Sequence, residues 1–164
     1  MIQRLLLGGA LVTLLAVSLT GAGAPQTPDQ NWPQWRGPAG AGVAEGTYPD
    51  RWSPTEHIAW KTEIPGKGHS SPVVWGDRVF VTTAVEGDAI DGWKAPVHLG
   101  FDRKPGYVNP DSTGVGRMLT LKVYAVQADT GKIVWERVAF EGPPNDDRHK
   151  SNTYASSTIA TDGE

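Results

Sequence analysis

The residues that could do chemistry are few and dispersed. Gly68-His69-Ser70-Ser71-Pro72 sets an imidazole beside two hydroxyls, the raw material of nucleophilic catalysis. It lacks the Gly-x-Ser-x-Gly elbow, and no helix pattern follows to expose the serine. The Ser-Ser pair recurs as Ser156-Ser157, which favours packing of small hydroxylated strands over catalysis. His57, His69, His98 and His149 show no His-x-x-x-His spacing and have no cysteine to join them, so no metal site is assigned. His149-Lys150 beside Asp146 and Asp147 reads as a solvated loop with paired charges; the sharper alternative is a contact to an anionic ligand. Asp88, Asp91, Asp102 and Asp111 are too spread out for a calcium loop. No catalytic residue emerges from these groups, and whether the chain is an enzyme is left open.

The elements that must position these groups are strands. Lys122 to Val138 holds two runs of β-branched and aromatic residues around Asp129-Thr130-Gly131-Lys132, a hairpin loop with Gly131 where positive φ is needed. Val123, Ala125 and Gln127 are expected on one face and Tyr124, Val126 and Ala128 on the other. A second hairpin, 70–84, folds at Gly76-Asp77. His57 to Pro65 alternates, with Ile58, Trp60, Thr62 and Ile64 on one face, and is expected to be a strand.

Ser156 to Glu164 repeats the pattern of Ser70 to Arg78 without a gap, a recurrence after 86 residues. One unit then comprises strands 70–75, 78–84, 119–128 and 132–140, a four-stranded antiparallel meander. The expected organisation is a signal peptide, 1–24; an extended Trp/Pro/Gly-rich segment, 25–56, with Trp32, Trp35 and Trp52 as anchors; and a ring-closing strand, 57–65. A first β-propeller blade, 66–140, follows with an insertion at 85–117, and then a connection and the first strand of a second blade, 141–164. The chain is expected to be an incomplete, N-terminal piece of an all-β repeat protein. Loops of such a meander alternate between the two faces of the disc. His69, Ser70, Ser71, His149, Lys150, Tyr154, Ser156 and Ser157 are therefore the candidate binding residues at the channel mouth. Trp93, Phe101 and Tyr107 are expected to fold the insertion onto the disc.

Twenty glycines, thirteen prolines and seven tryptophans in 164 residues agree with short strands and many turns. The net charge is −3, and without the first 24 residues, whose only charge is Arg4, it becomes −4. A mildly acidic chain with no basic run excludes nucleic acid as the expected partner. Arg4, the apolar run Leu5 to Leu19 and the small residues Gly21 to Ala24 make an export signal, too short for a comfortable membrane span. The expected location is the periplasm or the extracellular space, with no transmembrane span after signal removal.

Val123-Tyr-Ala-Val-Gln-Ala-Asp-Thr-Gly-Lys-Ile-Val-Trp135 resembles the repeat of the pyrroloquinoline quinone (PQQ) family of β-propellers, in which a Thr-Gly-Lys-like turn precedes a strand tryptophan. Gln127 stands where that family often has Asp. The resemblance covers roughly residues 57–164. It implies that Trp135, and Trp60 at the matching earlier position, dock between blades with Thr130 and Gly131 shaping the turn. It further implies an exported binding scaffold in the cell envelope whose partner is a protein, polymer or small molecule. The alternative it implies is a quinoprotein alcohol or sugar dehydrogenase, using PQQ and calcium supplied by the longer protein, since no cofactor is identifiable in these residues. Fold alone does not choose between them.

Overall fold

The computed structural model describes residues 31–100 and 102–163. The signal segment, residues 25–30, Phe101 and Glu164 lie outside the described residues. Gly76 and Asp77 form a two-residue turn. Only Gly76 takes positive φ (57°), the pattern of a type II′ turn, which suits the right-handed twist of paired strands. It joins β1 (Val73–Trp75) to β2 (Arg78–Ala89). Beyond a long insertion come β5 (Arg117–Gln127) and β6 (Ile133–Gly142), and the insertion carries a short ribbon of β3 (His98–Leu99) and β4 (Pro105–Tyr107). The four longer-range strands form one antiparallel sheet in the order β1-β2-β5-β6; β3 and β4 pair separately. Among the described residues there is no helix, so the fold is all-β as expected.

The turns at one end of the sheet are tied together. Ala128 N–H donates to Asp77 O (2.9 Å), and Gln127 donates to the Asp77 carboxylate (3.2 Å). That bond is the largest cause holding the Asp77 carboxyl below its usual range, with Arg78 assisting. Gly131 takes φ 71° and donates to Gln127 O, closing the β5–β6 turn as its sequence requires.

Tyr124, Ala125 and Val126 are consecutive and all buried, so the middle of β5 is covered on both faces. Phe80 and Trp135 flank Ala125 across the ladder and meet at 5.9 Å between ring centroids. Tyr124 lies on the opposite face, where burial pushes its phenol upward. β6 is the outer strand and stays largely exposed, with Trp135 half-buried beneath Arg137.

Three expectations need correction. The insertion begins at 90 rather than 85, because Val85 to Ala89 pair with Arg117 to Thr120 and extend β2. The first strand begins at 73 rather than 70: Pro72 has no N–H, and the amides of Ser70 and Ser71 bond to Ala155 O and Thr158 Oγ1 instead. Residues 57–65 and 156–163 join no sheet among the described residues, as follows if their partner strands belong to other blades. Of the three early tryptophans, Trp32 anchors by exchanging backbone bonds with Val74 (2.7 and 2.9 Å), whereas Trp35 and Trp52 are exposed.

Candidate functional site

The ladder sends two long loops out of the same end of the sheet. β2 ends and β5 begins there, and the last residue of β6, Gly142, pairs with Leu119 beside them. The insertion 90–116 and the connection 143–155 therefore meet. Thr113 N–H donates to Arg148 O (3.1 Å) and Lys150 N–H to Asp111 O (2.8 Å), a short backbone bridge between the loops. Asp147 reinforces it by accepting from the Gly114 N–H (2.7 Å) and the Thr113 hydroxyl. Burial works to raise the Asp147 carboxyl, but bonds from Thr113, Gly114, Arg148 and Ser112 outweigh it and hold the group below its usual range.

Arg148 fixes the connection to the sheet. Its guanidinium meets Glu86 of β2 at 2.8 Å, donates to Asn152 O at 2.9 Å and lies over the Tyr154 ring. Burial, followed by the charge of Asp147, pushes the Tyr154 phenol upward, with Arg148 opposing. On the other side, His98 Nε2 of the β3–β4 ribbon contacts Asp146 Oδ1 at 3.0 Å. Between ribbon, insertion and connection lies an open cleft of about 690 Å³, bordered by Trp93, Lys94, Val97, Tyr107, Asn109 and Asp146 among others. That is the size range of small-molecule sites.

The expected site residues divide into two groups. His149 lines the cleft, and Lys150 stands beside it, 3.1 Å from Pro110 O, while Tyr154 supports the connection from behind. Ser70 and Ser71 belong elsewhere: Thr82 donates to Ser70 Oγ (2.7 Å), and the Ala155–Thr158 segment covers the neighbouring backbone, with Ser157 alongside. Ser156 caps its own turn through Thr153 O (2.7 Å), and His69 is exposed with its N–H on Ala155 O. None of the five has a side chain in the cleft wall. Trp60 docks on the β5–β6 turn, donating from Nε1 to Ala128 O (2.8 Å) with its ring against Gly131; Thr130 is exposed at that turn.

Sequence reasoning did not single out Lys94, Asn109 or Thr113. The one signal for the Trp93 position is Gly116, on which that ring rests. No group of three or more His, Asp or Glu among the described residues is placed to hold a metal. Asp147 is engaged by its loop bonds, and Asp146 uses Oδ1 for His98 and the Asp147 N–H. No helix among the described residues is long and apolar enough to cross a membrane. No family model, curated protein or solved structure matches the chain.

Proposed function

We propose that the chain is the first blade of an exported PQQ-like β-propeller that works as a binding scaffold in the cell envelope, with its site on the loop side of the sheet. The observation carrying this reading is the cleft that the insertion and the connection enclose at one end of a rigid meander. Long loops fixed on a rigid sheet are the usual place for recognition. Docking of Trp60 onto the Gly131 turn supports the propeller, because it lets a preceding strand position grip the next blade.

Two measurements test it. Electron microscopy or crystallography of the full-length gene product is expected to give a closed ring of four-stranded blades; a single isolated sheet would overturn the propeller. Reconstitution with PQQ and calcium is expected to give no quinone absorbance and no reduction of an artificial electron acceptor with alcohols or sugars. Turnover there would replace the scaffold with the dehydrogenase.

A further inference from the structure

We infer that the cleft takes a neutral saccharide ring, stacked against Trp93 and held by Lys94, Asn109 and Asp146. This rests on the proposed function only for the location of the site. The indole of Trp93 is immobilised before any ligand arrives. A Cβ on Gly116 would fall 2.2, 2.3 and 2.7 Å from three atoms of the indole, so the ring lies flat against that glycine, leaving its remaining surface to the cleft. Ile90 N–H to Gly116 O (2.9 Å) and Trp93 N–H to Ile90 O (3.2 Å) pin the backbone beneath it. A fixed aromatic surface of this kind suits the apolar face of a ring and costs little ordering entropy on binding.

The polar groups left over decide the ligand. Asn109 uses its Oδ1 to accept from the Asp111 N–H (2.9 Å), so its amide NH₂ remains a donor. Asp146 keeps Oδ2 as an acceptor, since Oδ1 takes both the His98 contact and the Asp147 N–H. Lys94 contributes an ammonium from the exposed rim. A carboxylate or phosphate would satisfy Lys94 and Asn109 but be repelled by Asp146. An organic cation would satisfy Asp146 and be repelled by Lys94. Hydroxyls both donate and accept, so a polyhydroxylated neutral ring answers all three groups without burying a like charge. The cleft volume of about 690 Å³ accommodates a sugar of one to a few rings.

The test is isothermal titration of the full chain with glucose, N-acetylglucosamine, maltotriose and cellotriose, each against glucuronate and glucosamine as charged counterparts. At least one neutral sugar is expected to bind more tightly than both charged ones. Trp93→Ala should weaken that binding about tenfold, a typical aromatic contact. Lys94→Met, at an exposed position without structural bonds, should weaken it about threefold with an unchanged thermal midpoint, which keeps the test informative if the tryptophan variant fails to fold. Absence of binding to all four neutral sugars, preference for a charged one, or binding indifferent to both substitutions overturns the inference. A closed propeller that ignores neutral sugars sinks this inference alone; sugar binding by a chain whose longer form makes no ring leaves it standing.

Discussion

Replacing Gly131 by alanine should cost more than the same change at Gly76, although both glycines close hairpins with positive φ (71° and 57°). At Gly76 an added Cβ meets nothing within 4 Å, so the loss is the left-handed backbone alone, about 1–2 kcal/mol. At Gly131 the same Cβ would stand 2.5 Å from Trp60 Cε3 and 2.7 Å from Thr62 Oγ1. Trp60 must then move and give up its bond to Ala128 O (2.8 Å), a further 0.5–1.5 kcal/mol or about that, before any lost packing. Gly131→Ala is therefore expected to destabilise by about 2–3 kcal/mol and to exceed Gly76→Ala by about 1 kcal/mol. Urea unfolding of both variants, followed by far-ultraviolet circular dichroism, measures the difference. Adding Trp60→Phe, which deletes the indole N–H, should shrink the gap between the two glycine sites. Equal losses at Gly76 and Gly131 would refute the docking of Trp60 as a stabilising contact.

Glu86→Ala leaves the Arg148 guanidinium, whose side chain is only 14% exposed, without its carboxylate, and should cost about 2 kcal/mol in urea melts, less than a fully buried pair loses. Because the Asp147 carboxyl is depressed, its contribution is complete above the ordinary carboxylate range and is lost as pH falls through its lower folded value. Asp147→Asn should therefore flatten the acid limb of stability measured between about pH 2 and 5, leaving the neutral-to-basic limb unchanged in slope. His98→Ala removes the ribbon's contact with Asp146, so deuterium uptake over 96–108 should accelerate while β2 and β5 stay protected.

The meander was legible because its signals are local. Alternating β-branched residues and the Gly76 and Gly131 turns specify two hairpins, β1-β2 and β5-β6, without tertiary information. Misjudged boundaries lie where a neighbour overrides propensity. Glu86, Gly87 and Asp88 are poor strand formers, yet they remain in β2 because the start of β5 lies alongside. Residues 57–65 have a strand's alternation but no partner strand among the described residues, and periodicity reports only which face is apolar. The cleft was illegible for a different reason. It arises where Thr113 and Gly114 meet Asp147, a contact across 33–34 positions that leaves no spacing pattern in either loop. Asp146 and Asp147 look like surface charges until the amides they accept from are known.

The insertion leaves and re-enters the sheet at facing positions, Ala89 opposite Arg117, so the ladder itself holds the two stems together. The entropy of closing such a loop grows only logarithmically, about 0.6 kcal/mol for each doubling of its length. Whatever hangs from those stems can lengthen, shorten or be exchanged while the hairpin below keeps its register. Changes of length and sequence should therefore be tolerated best between those two residues, and a foreign recognition module grafted there would inherit a scaffold already prepared to carry it.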